Sequence, residues 1–282
     1  MTIREEKMKT VLILRTCTAS LTSQGGFQWP TSGHVAAPDW KPTQACGHGL
    51  HGLLWGCGDA SLLDWSEQAK WLVVEVTEAS IIDLGDKVKF PEGTVVYCGD
   101  RNGAANLIAA DPRAAGKPII AATVTAGFRG TATAGFHGTA TAGDYGSAIA
   151  GNYGTATAGY GGTAMAGDYG TATAGIDGTA TAGESGTATA GIRGTATAGD
   201  YGMARAGYGG TATAGDYGTA TAGIDGTATA GVDGTILIRY WAGTRFASMV
   251  GLVGENGIEA DRPYGVQCRD GNSRFIAVEE QI

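Results

Sequence analysis

Hydrophobic and polar positions change rhythm twice along the chain and so divide it into three regions. Up to about residue 118, the short β-branched runs VLILRTC, WLVVEV and GTVVYCGD are bounded by Gly, Asp and Pro and predict strands. ASLLDWSEQAK and GAANLIAAD predict short helices, the second ending before Pro112. Residues 1–118 therefore predict an α+β domain, with DPRAAGKP as a linker at residues 111–118. Over residues 122–233 the alternation becomes strict. Thr-Ala-Thr-Ala has a period of two, the pattern of a strand with one crowded and one open face, and each Gly-x-x-Gly supplies a corner. Beyond Gly234, TILIRYW, ASMVGLVG, GVQCR and FIAVEE predict four strands joined by turns at GT, ENG and DGN. They predict a small β cap over residues 234–282, since a solenoid end exposes unpaired strand edges.

The middle region repeats every eight residues. From Gly130, thirteen consecutive units obey G-x-A-x-A-G-x-x, ten of them with threonine at both strand positions, and an imperfect ATVTAGFR precedes them. Eight residues are too few for a helical repeat unit. The two corner residues set the coil length. In alternate units the first runs Asp144, Tyr160, Ile176, Ile192, Tyr208, Ile224, mostly apolar; the interleaved set runs Asn152, Asp168, Glu184, Asp200, Asp216. Tyr153, Tyr169, Tyr201 and Tyr217 accompany the second set, with Ser185 as the gap. Two unlike corners imply a sixteen-residue coil with two flat sides, because a three-sided coil would mix the classes at every corner. The expected fold is mainly β: a parallel solenoid of about seven such coils between the N-terminal domain and the cap.

Composition narrows the functional classes. Glycine reaches 49 of 282 residues while proline is only 7, and no G-x-y triplet appears, which excludes collagen. A net charge of −8, with Arg129, Arg193 and Arg205 the only Arg or Lys between Thr123 and Asp233, argues against a nucleic-acid partner. Five cysteines, four of them in the first hundred residues, do not form the even set of a secreted disulfide framework. Arg15 interrupts VLILRTC too early for a signal-peptide core, and no segment reaches transmembrane length. The expectation is a soluble, cytoplasmic chain without membrane insertion.

A longer rhythm overlies the octets: YGGTAMAGDYGTATAGID at residues 160–177 returns as YGGTATAGDYGTATAGID at 208–225, 48 residues later. Nested periods of eight, sixteen and 48, with AGYG and TAG at fixed places, resemble the repeat region of bacterial ice-nucleation proteins over residues 122–233. This chain departs from them in having Thr-Ala-Thr where that family commonly has Thr-Gln-Thr, in lacking serine-rich alternate strands, and in its small number of coils. The resemblance implies ice or ordered water as partner.

The residues give that implication a physical form. Outward threonines would stand about 7 Å apart along a strand and about 4.8 Å apart between coils, spacings near those of water oxygens on planes of ice. Thr123, Thr125, Thr139, Thr141, Thr155, Thr157, Thr171, Thr173, Thr187 and Thr189 make the longest uninterrupted candidate face, broken by Met203 and Arg205. The opposite side is interrupted by Ser147, Ile149 and Met165. Threonine ladders also stabilise parallel coils without binding anything, so a structural spacer is the competing reading. Tyr153, Tyr169, Tyr201 and Tyr217 are candidates for self-association into a homo-oligomer, or for an internal ladder supporting the corner. The acidic set could collect cations or stand as a solvated edge.

Enzymatic or ligand-binding activity in the N-terminal domain remains an alternative. In CGHGLHGLLWGCGD, Cys46, His48, His51 and Cys57 are competent zinc ligands, although C-x-H-x2-H-x5-C is no standard spacing. A transferase-like site around Arg15, Thr16 and His51 is a second possibility, with Cys98 and Asp100 lining the same pocket. No P-loop, dinucleotide fingerprint or Ser-His-Asp order is visible, so no catalytic residue is assigned and no cofactor besides zinc is expected.

Overall fold

The computed structural model describes residues 9–23, 25–269 and 272–278. They form two compact units, residues 1–123 and 124–282.

In the first unit the three expected strands and four that the sequence did not reveal form one antiparallel sheet. β1 (Thr10–Cys17), β2 (Gly33–Ala36), β3 (Leu50–Leu54), β4 (Lys70–Thr77), β5 (Ile82–Asp83), β6 (Val88–Phe90) and β7 (Glu92–Gly99) lie in the order β2-β7-β4-β1-β3-β6-β5. The central strands are buried along almost their whole length: Ile13, Leu14, Leu72, Val73 and Val74 are fully enclosed, as expected for continuous apolar runs rather than alternating ones. Helix α1 (Arg101–Ala109) buries Ala104, Ala105 and Ile108, and Asp100 caps it by accepting the Gly103 N–H.

ASLLDWSEQAK is not a helix. Only Ala60–Leu62 makes a single 3-10 turn, and Lys70 already belongs to β4. Local side-chain bonds take the place of helical ones: Asp59 accepts from the Ser61 N–H and hydroxyl, Asp64 accepts from the Ser66 N–H, and the Trp65 indole donates to the Ala60 carbonyl. The 111–118 segment is tied down as well. Its Pro112–Ala114 turn buries Ala114, and Arg113 donates to Asp111 and to the Thr10 carbonyl.

The repeats form fourteen short strands, β8 (Thr123–Ala126) through β21 (Thr227–Ala230). Even-numbered strands stack in one parallel sheet and odd-numbered strands in the other, each sixteen residues out of step with its neighbour: Thr155 pairs with Thr171, and Thr179 with Thr195. This is the expected two-sided coil. Alanine methyls from both sheets meet inside, and every repeat alanine from Ala132 to Ala230 is at most 8 % exposed. The first two strands of the C-terminal segment, β22 (Thr235–Trp241) and β23 (Phe246–Leu252), extend the even sheet, while β24 (Tyr264–Arg269) and β25 (Asn272–Ala277) extend the odd one, giving nine strands each. Their larger Ile236, Ile238, Ile258 and Tyr264 side chains continue the alanine core. The acidic end of FIAVEE lies outside the described residues.

Candidate functional site

The corners decide how flat the sides can be. Each is a four-residue turn closed by a bond such as Gly170 N–H to the Gly167 carbonyl, 3.1 Å. The left-handed residue is not a glycine in most coils: Tyr169, Asp177, Ser185 and Arg193 have φ between 53° and 56°. Their N–H groups donate to the carbonyl of the first corner residue one coil on, as from Tyr169 to Glu184 at 2.8 Å. The flanking glycines serve close approach instead. A Cβ on Gly175 would sit 2.8 Å from the Gly159 carbonyl carbon and oxygen, so stacked coils could not reach strand spacing there with any side chain.

On the acidic corner three aspartates are structural. The Asp168 Oδ1 accepts the Glu184 N–H at 3.0 Å, the Asp200 Oδ1 accepts that of Asp216 at 2.9 Å, and the Asp216 Oδ1 accepts that of Val232 at 2.8 Å. Beside them the tyrosines stack outward. Tyr153 and Tyr169 are 5.0 Å apart and 6° from parallel, Tyr201 and Tyr217 are 5.0 Å apart and 7° from parallel, and all four are exposed. Ser185 separates the two pairs. On the other corner Arg193 forms a two-pronged pair with Asp177, at 2.8 and 2.6 Å, which holds that carboxyl below its ordinary pKa.

Between the corners the threonines face outward. On the even sheet Thr139, Thr141, Thr155, Thr157, Thr171, Thr173, Thr187 and Thr189 are all exposed or half-exposed, in register from coil to coil; Thr123 and Thr125 are the outward residues of β8. Among the described residues none of these hydroxyls has a protein hydrogen-bond partner, so their donor and acceptor capacity is directed to solvent. Met203 and Arg205 interrupt this sheet, the guanidinium lying 3.4 Å from the Met203 sulfur. On the odd sheet Ile149 and Met165 stand next to each other in adjacent coils, both exposed.

The sequence-derived residues of the first unit are only partly brought together. Cys46, His48 and His51 line one cleft; Cys57 does not, its thiol donating to the Trp55 carbonyl at 3.4 Å. His48 lies 3.3 Å from Asp39. Among the described residues no three His, Cys, Asp or Glu side chains converge as metal ligands, and all five cysteines are free thiols. Arg15 and Thr16 do line the His51 cleft, and the Arg15 Nη1 donates to the His51 carbonyl at 3.0 Å. Asp100 lines a separate cleft of about 310 Å³ with Trp65 and Arg101, which corrects its assignment to the Arg15 pocket, and Cys98 lines neither cleft.

Sequence reasoning missed Lys89. It is fully buried, and its ammonium donates to the Ala45 carbonyl at 2.8 Å and, at 3.4 Å, to the Gly47 carbonyl and the Thr43 hydroxyl. It pins the glycine-rich loop carrying Cys46 and His48. The alternation Val88-Lys89-Phe90 gives no sign that the lysine faces inward.

Two threonine-bearing sheets closed over an alanine core define a parallel β-solenoid repeat protein. Its repeats are similar to those of ice nucleation proteins: the chain is 43% identical over 101 residues to an ice nucleation protein of Pseudomonas syringae, a match covering 35% of this chain and 9% of that protein. It is 41% identical over 104 residues to one of Pseudomonas fluorescens, covering 36% of this chain and 9% of that protein. For one of Pantoea ananas the values are 39% over 108 residues, 38% and 10%. The match thus spans only about a tenth of the length of these relatives. A family model described as a domain of unknown function, DUF7666, matches residues 11–106. No solved structure matches the chain significantly. Among the described residues no helix is long and apolar enough to cross a membrane.

Proposed function

We propose that the solenoid binds ice, or an ordered layer of water, through the even-sheet threonine face from Thr123 to Thr189. The observation carrying this reading is the in-register array of outward hydroxyls that the protein leaves unbonded, held on a rigid lattice by β-branched side chains. Each hydroxyl can donate and accept, and the γ-methyl beside it interrupts ordinary hydration, so the array anchors water at its own spacing. That similar repeats occur in proteins named for ice nucleation agrees with this. Seven coils span about 34 Å at one strand spacing each, a patch suited to binding existing ice more than to starting it.

The test is inhibition of ice recrystallisation by the full chain, with Thr155→Lys and Thr171→Lys. Both residues point outward, so folding is expected to survive. Activity should fall at least about tenfold, as two charged chains standing above the plane hold the surface off the lattice. Unchanged activity in folded variants rejects this face.

The stacked, exposed tyrosines favour a second reading, in which Tyr153, Tyr169, Tyr201 and Tyr217 join solenoids side by side. Association would enlarge the ice-facing area. Sedimentation of the chain against a Tyr169→Ser, Tyr217→Ser variant separates this from a monomeric binder.

A further inference from the structure

The cleft of the first unit concentrates cations in a chain whose net charge is −8. Arg15 stacks over the Trp29 ring with its guanidinium carbon 4.2 Å from the ring centre. It spends its Nε–H on the Thr16 carbonyl and one Nη1 hydrogen on the His51 carbonyl. A guanidinium has five N–H groups. The Arg15 side chain also meets the Cys17 thiol, but no carboxylate among the described residues pairs with it. A part-buried cation without a counter-ion costs stability unless something supplies the negative charge.

Two further polar atoms at the same place are unsatisfied. The Trp29 indole N–H and the His51 Nε2 are buried without a hydrogen-bond partner, and Trp29 is 2 % exposed. Buried polar groups are paired in the great majority of cases, so two exceptions beside an Arg15 without a carboxylate partner mark a place where a ligand completes the bonding. Lys87 lines the cleft too, and Lys89 lies across from His51 in the strand register. The one carboxylate in the lining, Asp39, already faces His48. The cleft thus has unpaired cationic and indole donors to spare, and the neutral His51 Nε2 is, among the described residues, the one unpaired acceptor beside them. Its size is about 690 Å³, well beyond an inorganic ion, and Phe27, Leu50, Leu53 and Leu63 give it an apolar wall.

We propose that this cleft binds a small organic oxyanion, a phosphate or carboxylate head seated on Arg15 and the Trp29 indole N–H within reach of Lys87, with an apolar body against the wall. The shared chemistry is an acceptor-only head on a hydrophobic group. This site is independent of the threonine face, so either proposal can fail alone.

The experiment is calorimetric titration of the full chain with phenyl phosphate, benzoate, inorganic phosphate and neutral benzamide. At least one aromatic anion binds in the millimolar range or tighter, and comparison of the two identifies the head group. Inorganic phosphate binds more weakly than phenyl phosphate, and benzamide does not bind. Arg15→Lys keeps the charge but loses the planar fork and weakens binding at least about tenfold. Should that variant misfold, Lys87→Gln decides, since its side chain makes no hydrogen bond among the described residues, and it weakens binding about threefold or more. Absence of binding by both aromatic anions, equal binding of benzamide, or wild-type affinity in the folded variants overturns the proposal.

Discussion

At the scale of the residue, the solenoid separates two properties that glycine usually combines. Corner glycines such as Gly175 have ordinary negative φ and are required for space, while the left-handed conformation falls on Tyr, Asp, Ser or Arg. Gly161 and Gly209 occupy that left-handed position in two coils, so the backbone accepts glycine there. The Gly-x-x-Gly spacing made the corners legible, but not which of the four residues turns left-handed, because both readings place glycine at a turn. The distinction is measurable. Gly175→Ala pushes a methyl into the backbone of the preceding coil and should destabilise by about 1–3 kcal/mol, as overpacking does. Ser185→Gly removes a left-handed strain of about 1 kcal/mol but adds freedom to the unfolded chain, so its net effect lies between zero and about 1 kcal/mol of stabilisation. Thermal melts of the two variants should move in opposite senses, or the second not at all; a fall for Ser185→Gly would contradict the division of labour.

At the scale of the element, strands repeat so regularly that one register solves all of them. Thr-Ala alternation fixed which side faces inward, and the corner classes fixed sixteen residues per coil, both visible without coordinates. The same reasoning failed at ASLLDWSEQAK, where Asp59, Asp64 and Trp65 bond to their near neighbours and leave only one turn of helix. Helix propensity says little about a segment with such competing local bonds. Regularity also identifies the defect in the candidate face. Met203 and Arg205 occupy a rung whose neighbours on both sides, Thr187 and Thr189 below and Thr219 and Thr221 above, keep the pattern. Restoring it with Met203→Thr and Arg205→Thr lengthens the uninterrupted run from five rungs to seven, and both residues are exposed strand positions where threonine fits well. Recrystallisation inhibition should rise severalfold if the face acts as one lattice. An unchanged endpoint concentration would mean that the lower five rungs act alone or that the active surface lies elsewhere.

At the scale of the whole molecule, legibility follows from how far apart in sequence the cooperating residues lie. The threonine face is written every sixteen residues. The cleft draws Arg15 from one strand, Trp29 from a loop, His51 from another strand and Lys87 from before a third; the sequence paired Arg15 with His51, but only folding reveals that Trp29 and Lys87 join them. That arrangement has a consequence for acid stability. Burial, then Lys87, Arg15 and Lys89, lower the His51 pKa below its ordinary 6.5, a hydrogen bond at the Gly49 backbone opposing them in part. The folded imidazole therefore stays neutral where the unfolded chain binds a proton. With more protons on the unfolded state, stability rises with pH across that window; the contribution is intact above about pH 6.5 and is lost as pH falls toward the folded value. Two compact units lead us to expect two melting transitions, and acidification from neutral pH should lower the one belonging to residues 1–123. His34 and His48 lie beside Glu92 and Asp39 and are common to wild type and variant, so the difference between wild type and His51→Gln isolates this group. The wild type should lose stability relative to His51→Gln below pH 6.5. Parallel curves would mean that His51 is protonated in the fold after all, and that the positive field around the cleft is weaker than its cations suggest.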